Sequence, residues 1–330
     1  MVELLKKKGI NYPDVLTLNV NIDGLPLYKS SKGVFWPILG KFSEIKCMKP
    51  PRLFLNDFID EMKSLANTSF LNTKIYPGMF IMDAPACAFV KQIVGHNAKK
   101  ACGRCEVVGE FHGRMCYPQI SNKSRTDEEF RNRVDKEHHK TYSNDDSEEA
   151  GTKSPLEDIE DVDMIDLAQM TKPTEFHRAI RSLEYLSFYK GTEFRNFLLY
   201  HGLVALKANV DDEIYENFKD LHCAITICLT NKHRKYVPAA KLIFEKYFRD
   251  FKKIYGKCMV SYNIHQTLHL ADYVIKYGPL ENYSAFEYES KLGIIGNLIC
   301  SGNNPLEQGA NRIIEHLELD MEELLHNQKK

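Results

Sequence analysis

The first part of the chain contains apolar runs that are typical of strands. Val15 to Ile22 is rich in branched side chains and ends at Asp23-Gly24, so we predict a strand there. The run Phe35 to Leu39 predicts a second strand, in a hairpin with the first. Ile75 to Met82 predicts a third strand, which also ends at an acid, Asp83. The start of the chain is therefore strand-rich.

Helical spacing dominates elsewhere. Apolar residues recur at intervals of three and four from Phe54 to Leu65, and Ala84 to Val94 has Pro85 in its first turn, so we predict helices over both. Residues 101–166 show no sustained period, and from Phe176 onward the pattern is helical. We assign two aromatic stripes of this last part to the core: Phe194, Phe197 and Leu198, and Phe244, Tyr247, Phe248 and Phe251.

Composition excludes several classes of protein. The 330 residues are 43% hydrophobic and 27% charged, which is typical of globular chains and not of disordered or collagen-like ones. No run of eighteen apolar residues exists, and the lysine-rich N-terminus lacks the apolar stretch of a signal peptide. We therefore expect a location in the cytosol or nucleus. The nine cysteines then indicate buried thiols or a metal site more than disulfides.

The net charge of -1 conceals an uneven distribution. Residues 145–166 contain ten acids and one base, Lys153, which leaves 43 basic and 35 acidic residues and a formal charge of +8 elsewhere. This asymmetry permits an anionic partner such as a nucleic acid. It does not require one, because lysine-rich surfaces of globular proteins are commonly just solvated.

Asp23 and Asp83 are candidates for chemistry because each follows a predicted strand. If the two strands are neighbours, both carboxylates lie at one edge of the sheet, and their repulsion favours a hard cation such as Mg²⁺ or Mn²⁺. Paired ions of this kind catalyse hydrolysis or transfer of phosphodiesters. The alternative is that both acids only form turns, as Asp-Gly and Asp-Ala-Pro commonly do.

A second candidate site begins at Cys102-Gly-Arg-Cys105, whose two thiolates can bind one tetrahedral ion. No thioredoxin-like pattern surrounds these cysteines, but a redox role stays open. Two further ligands are needed. The nearby candidates are Cys116, His112, His138 and His139, and the distant ones are His265 and His269, which stand four apart on one face of a predicted helix.

Seven groups of residues occur in an order that matches a known family. They are Asn21-Ile-Asp-Gly-Leu-Pro-Leu-Tyr-Lys-Ser30 with Phe35-Trp-Pro-Ile-Leu39, Ile81-Met-Asp-Ala-Pro-Ala86, Gly95-His-Asn97, Cys102-Gly-Arg-Cys105, Thr192-Glu-Phe-Arg195, His265-Gln-Thr-Leu-His269 and Gly278-Pro-Leu-Glu-Asn-Tyr-Ser-Ala-Phe286. Together they resemble CACTA-type DNA transposases over most of the chain. The resemblance implies an α/β RNase H-like core, a mixed sheet with flanking helices, interrupted by a mainly α-helical insertion that is held by zinc.

The resemblance also assigns residues. It implies a catalytic triad of Asp23, Asp83 and Glu289 that binds Mg²⁺ or Mn²⁺, with Glu287 as the rival third acid. Glu289 is preferred because it stands before a Lys-Leu step, where the family has its acid. The implied zinc ligands are Cys102, Cys105, His265 and His269, in a structural site that joins the insertion to the core. Lys29 and Lys91 are candidates for a cationic surface beside the triad.

The resemblance divides the chain into four segments: 1–98, the first part of the core; 99–170, with the Cys/His region and an acidic loop; 171–275, the helical insertion; and 276–330, the helices that complete the core. A helical unit expected near Asp166 to Pro173 is missing, and the chain begins only 22 residues before Asp23. Both differences suggest a truncated or domesticated descendant.

The resemblance implies a metal-dependent nuclease and strand transferase that acts on DNA in the nucleus, as a homo-oligomer if it is active, and that has no membrane partner. Two other readings stay open: a transposase-derived protein that binds DNA without cutting it, and a remnant that binds other proteins.

Overall fold

The computed structural model describes residues 15–26, 34–35, 37–43, 63–64, 74–121, 123–140, 186, 188–299, 304, 307–309, 311–312 and 315. Several sequence predictions fall outside these residues. They are the helix from Phe54 to Leu65 apart from Lys63 and Ser64, which are helical, the acidic stretch 145–166, the segment from Asp166 to Pro173, and Lys29.

The chain divides into two compact units. The first contains residues 1–90 and 282–330, and the second contains residues 91–281. Both ends of the chain therefore contribute to one unit, while the other is a single continuous stretch. That the first unit is an RNase H-like core stays a prediction.

The first unit contains a three-stranded sheet in the order β4-β1-β5. Its strands are β1 (Val15–Ile22), β4 (Ile38–Phe42) and β5 (Lys74–Met82), and the minor strands β2 (Leu25–Pro26) and β3 (Val34–Phe35) pair with each other. β1 lies in the middle, antiparallel to β4 and parallel to β5. The first and third predicted strands are confirmed. Of the second, Phe35 belongs to β3, and the strand that pairs with β1 runs from Ile38 to Phe42.

Polar side chains stabilise the centre of this sheet. Asn19 is buried, and its Oδ1 accepts a hydrogen bond from the amide of Met79 at 3.0 Å. The Asn21 side chain donates to the carbonyl oxygen of Ile81 at 2.9 Å. These bonds lie beside the point where the register of β1 against β5 shifts, between Leu18 and Val20. Side chains thus connect the two strands where the backbone ladder is irregular.

Helix α1 (Ala84–Lys91) follows β5 directly, and it ends three residues before the predicted boundary at Val94. The prediction was wrong because Gln92 adopts a left-handed conformation (φ 53°), which ends a helix. Ile93 then forms a bridge with His139. A helix that continued to Val94 would lose this pairing.

The second unit is mainly helical. After the hairpin of β6 (Glu110–Phe111) and β7 (Met115–Cys116), its α-helices are α2 (Asp127–Arg131), α3 (Gly191–Asn196), α4 (Gly202–Leu206), α5 (Asp212–Leu229), α6 (Val237–Tyr255), α7 (Tyr262–Gln266) and α8 (Leu270–Tyr277). Short 3₁₀ helices span Asn231–Tyr236, Lys257–Met259, Thr267–His269 and Leu280–Tyr283, and Phe197–His201 is a π-helix. Helix α9 (Phe286–Asn297) belongs to the first unit.

One of the two aromatic stripes lies in the core. Phe244, Tyr247 and Phe248 of α6 are buried, and Phe251 packs beside them, as predicted. The assignment of Phe194 to the core was wrong, because its side chain is 47% exposed. Phe197 and Leu198 of the same stripe are half-buried.

Among the described residues, no helix is both long enough and apolar enough to cross a membrane.

Candidate metal centre and carboxylate pair

The structure brings Cys102, Cys105, His265 and His269 together, although the two pairs are about 160 residues apart in the sequence. Every donor atom of the four lies within 4.8 Å of the others. The first three residues are buried and His269 is half-buried. These four residues could therefore hold a metal ion such as zinc, which was the distant option among the sequence-predicted ligand sets.

The spacing of the donors matches the edges of a zinc tetrahedron. Zn–S bonds of about 2.3 Å and Zn–N bonds of about 2.05 Å at tetrahedral angles require separations of about 3.8 Å between sulfurs, 3.3 Å between nitrogens and 3.6 Å between sulfur and nitrogen. The Sγ atoms of Cys102 and Cys105 are 3.7 Å apart, and the Nε2 atoms of His265 and His269 are 3.3 Å apart. Sulfur lies 3.3 Å from nitrogen for Cys105 and His265, and 3.5 Å for Cys102 and His269.

Local structure presents each half of the site. Cys105 forms an isolated antiparallel bridge with Ser124, and this bridge holds the cysteine loop against residues 123–125. Ser261 caps α7 by accepting the amide of Ile264 at 3.4 Å, and one turn later His265 projects from this helix. His269 ends the 3₁₀ turn after α7, so both imidazoles face the cysteines.

Polar groups outside the four donors support the site. Arg125 donates from Nε to the carbonyl oxygens of Cys102 at 2.9 Å and Cys105 at 3.2 Å, and its guanidinium pairs with Asp135 at 2.9 Å. The side-chain amide of Gln266 donates a hydrogen bond from Nε2 to the sulfur of Cys102 at 3.5 Å. Partners of this kind orient metal ligands and moderate the charge on sulfur. Neither residue was predicted from the sequence. Gln266 lies within the His265 to His269 motif and could have been considered, whereas Arg125 belongs to no motif.

Burial and hydrogen bonding make the two thiols unequal. The hydrogen bond from Cys105 lowers the pKa of Cys102, against the opposing effect of burial, with His265 and His269 also contributing. The bond to Cys102 and burial together raise the pKa of Cys105. Two thiolates 3.7 Å apart repel each other, so a cation between them favours the ionisation of both. Zinc binding supplies such a charge.

The nearby ligand candidates are engaged elsewhere. Cys116 donates to the carbonyl oxygen of Cys258 at 2.7 Å, and His112 pairs with Glu110 at 3.2 Å. The Nδ1 atom of His138 lies 2.6 Å from the carbonyl oxygen of Lys100, and His139 lies against the ring of Phe130. The four candidates therefore lie outside the metal cluster.

All four cluster donors belong to the second unit. A metal there would join the cysteine loop to α7 and the turn that follows it, two parts of one unit. This differs from the expectation that zinc would join an insertion to a catalytic core.

Asp23 and Asp83 follow neighbouring parallel strands. Ile22, the last residue of β1, pairs with Met82, the last residue of β5, so the two acids leave the sheet at the same edge. Asp23 accepts the amide of Gly24 at 2.7 Å, and Asp83 accepts that of Ala86 at 2.7 Å, which caps α1. The condition set from the sequence, that the two strands are neighbours, is therefore met.

The environment makes ionisation of Asp23 costly. Partial burial raises the pKa of Asp23 above its ordinary value, the Gly24 amide opposes this, and the charge of Asp83 raises it further. The Asp83 carboxylate therefore acts on Asp23 through its charge.

Glu287 and Glu289 occupy opposite flanks of the first turn of α9. Tyr288 between them is buried and packs in one cluster with Leu39 of β4, so this side of α9 covers the sheet. Glu287 forms a salt bridge with Lys41 of β4. Glu289 lies two residues after Glu287, which corresponds to a rotation of about 200° around the helix axis. The Glu289 side chain therefore points away from Lys41, and it is exposed.

Within the described part of the chain, Asp23, Asp83 and Glu289 do not form a group of donors at ligand distance, and the Cys/His cluster is the only such group. Lys91, proposed for a cationic surface, lies at the end of α1 with its Nζ 6.0 Å from the centre of the Phe130 ring. Asp23 and Asp83 thus follow adjacent strand ends. For Glu289, the structure gives its position on α9 but no contact with either acid at ligand distance.

No protein-family model matches this chain, and no curated protein is similar to it.

Proposed function

We propose that this chain is a transposase-like DDE enzyme that cleaves and joins DNA phosphodiester bonds, built on an RNase H-like core. The observation that carries the proposal is the register of β1 and β5, which puts Asp23 and Asp83 at one edge of the sheet. The order β4-β1-β5, with one antiparallel and one parallel neighbour of the central strand, supports it.

The acids fit a hard divalent cation in part. Asp23 and Asp83 offer carboxylate oxygens, the ligand type of Mg²⁺ and Mn²⁺, and their mutual repulsion is relieved by positive charge. Bound there, such ions would supply activation of an attacking oxygen and stabilisation of the leaving oxygen at phosphorus. The role of Asp23 and Asp83 is to hold those ions rigidly at the strand ends.

Glu289 is proposed as the third acid. Helix α9 covers the sheet through Tyr288 and also approaches β2, the segment that begins two residues after Asp23. Glu287 is less suited because its carboxylate is already paired with Lys41. Glu289 lies on the side of α9 opposite to that salt bridge. We propose that it is the third metal ligand, beside Asp23 and Asp83.

In this proposal the Cys/His cluster holds a structural zinc ion. Four protein donors close a tetrahedral site, which leaves no position for a substrate or a reactive water. Zinc there would stabilise the helical unit and take no part in the reaction.

Nicking of a supercoiled plasmid in the presence of Mn²⁺ tests the enzymatic proposal. We expect activity in the parent protein, a loss of at least about 100-fold in Asp23→Asn, Asp83→Asn and Glu289→Gln, and near-parental activity in Glu287→Gln, the matched control on the same helical turn. A parent protein that does not nick, or an Asp83→Asn variant that does, contradicts the proposal.

A specific observation favours a second candidate function. Both acids already have structural partners, since Asp83 caps α1 and Asp23 accepts the Gly24 amide. Such acids can be retained without catalysis in a transposase-derived protein that binds DNA or other proteins. Salt-sensitive retention of DNA without nicking would identify the DNA-binding form.

A further inference from the structure

The two ends of the helical hairpin of α5 and α6 differ in their charged residues. One end, which we call the acidic end, carries Asp212, Glu213, Glu216 and Asp250 together with Lys253. The other end is the 3₁₀ turn Asn231–Tyr236, whose residues are all exposed and which contains Lys232, Arg234 and Lys235 but no acid. Since α5 has 18 residues, the two ends are about 27 Å apart. The turn is therefore a separate cationic surface.

This surface continues onto α8. The Arg234 guanidinium donates to the carbonyl oxygen of Ile275 at 3.3 Å, which holds the turn against the last turn of α8. Lys276 follows, with its Nζ 5.1 Å from the centre of the Tyr277 ring. The rings of Tyr277 and Tyr273 are 6.0 Å apart, and the Arg104 guanidinium lies 4.3 Å from the centre of the Tyr273 ring.

Cations lie beside aromatic rings along this surface, which we call the cationic strip. It consists of Lys232, Arg234, Lys235, Tyr236, Lys276, Tyr277, Tyr273 and Arg104. The acid on α8, Asp272, is paired with Lys241 at 2.7 Å. The strip therefore keeps an excess of positive charge.

We infer that the cationic strip binds the sugar-phosphate backbone of DNA. Lysine and arginine side chains bind phosphates and release counterions, and exposed aromatic rings offer surfaces for bases and sugars. Tyr236, 49% exposed with Lys235 Nζ 4.9 Å from the centre of its ring, offers both features at one point. The inference rests on the proposed function only in the choice of DNA as the polyanion.

A double substitution with a matched control tests this surface. Lys232→Gln/Lys235→Gln removes two charges from the strip, and Lys219→Gln/Lys253→Gln removes two from lysines that pair with Glu216 and Glu213 toward the acidic end. The substituted residues are exposed in both variants, so we expect both to melt like the parent. Binding is measured by the fluorescence anisotropy of a short labelled DNA duplex, with zinc-loaded full-length protein and without Mn²⁺.

We expect the strip variant to bind about tenfold more weakly, with a salt dependence of log K shallower by about two, while the control stays within about twofold of the parent. Equal affinity and salt dependence in the strip variant and the parent would overturn the inference. A parent that binds anionic lipid vesicles through the strip, but not DNA, would also overturn it.

Binding without Mn²⁺ separates this inference from the enzymatic proposal. If the strip variant binds DNA weakly but the parent never nicks, the surface stands and the enzymatic proposal fails. If the parent nicks and the strip variant binds as well as the parent does, only the surface is wrong.

Discussion

Cys105 contributes a sulfur donor to the Cys/His cluster. Serine has nearly the same shape, but its hydroxyl stays protonated at neutral pH and is a poor zinc ligand. Cys105→Ser should therefore reduce bound zinc from about one ion per chain to a small fraction and should lower the melting temperature by several degrees. Elemental analysis and thermal melting measure the two effects.

Cys223 provides the control for this substitution, because it is an exposed thiol on α5 outside the cluster. Cys223→Ser should keep both zinc and stability. Purified protein that lacks zinc and is nevertheless fully stable would defeat the structural-zinc proposal.

His138 gives the protein a pH dependence that is separate from the cluster. Its side chain is 1% exposed, and burial lowers its pKa below the ordinary value of 6.5, with Arg125 and His139 acting in the same direction. The hydrogen bond to Lys100 and the charge of Asp135 oppose this. Because the unfolded chain binds a proton more readily, this residue lowers stability as pH falls below 6.5, until the folded form is also protonated.

The expected result is that the free energy of unfolding falls more steeply between pH 7.5 and pH 5.5 in the parent than in His138→Asn. Asparagine does not titrate and can still donate a hydrogen bond to Lys100. Protonation of the cluster affects both proteins alike, so the difference between them reports His138. Parallel pH curves for denaturant unfolding would show that its protonation is not linked to folding.

Among single residues, the sequence predicted those whose chemistry is distinctive. Cysteines at a spacing of three and histidines at a spacing of four are recognisable as candidate ligands, although the choice of His265 and His269 over His138 and His139 depended on a family resemblance. Arg125 could not be predicted, because its role is a contact with two carbonyl oxygens about twenty residues away.

At the scale of elements, the close packing of β5 against β1 requires a glycine at position 78. A β-carbon there would lie 2.4 Å from Asn19 Oδ1 and 2.6 Å from the Thr17 methyl group, at the place where the register shifts. Gly78→Ala should therefore destabilise the protein by about 1–3 kcal/mol, as overpacked substitutions do. Denaturant unfolding measures this change.

Gly293 is the matched control, because it lies in helix α9 of the same unit with no atom within 4 Å of its would-be β-carbon. Gly293→Ala should be neutral or should stabilise by up to about 1 kcal/mol, through helix propensity. If Gly78→Ala is as stable as the parent, the described packing of β5 against β1 is wrong.

Elements were predictable where the local period decided them. The strands from Val15 to Ile22 and Ile75 to Met82 appear as predicted because branched apolar runs fit a buried sheet. The end of α1 and the exposure of Phe194 were not predictable. The first depends on the left-handed Gln92, and the second on which elements cover the helix, which a local period does not state.

At the scale of the whole molecule, the division into units follows from contacts that a sequence does not record. The first 90 and the last 49 residues form one unit, which joins Asp23 and Asp83 to the helix that carries Glu289. The resemblance to a transposase suggested that distant segments would combine in this way. Spacing and composition alone could not predict this combination, because neither indicates which helix covers which sheet.

The central claim is that Asp23, Asp83 and Glu289 bind divalent metal together. The most direct measurement compares the melting temperature of zinc-loaded parent, Asp83→Asn and Glu287→Gln with and without Mn²⁺. At a concentration about 100 times the dissociation constant, binding stabilises the native state by about 2.7 kcal/mol, so the parent and Glu287→Gln should melt a few degrees higher with Mn²⁺. Asp83→Asn should show no such rise. An equal rise in all three proteins would mean that Mn²⁺ binds elsewhere, and it would contradict the claim.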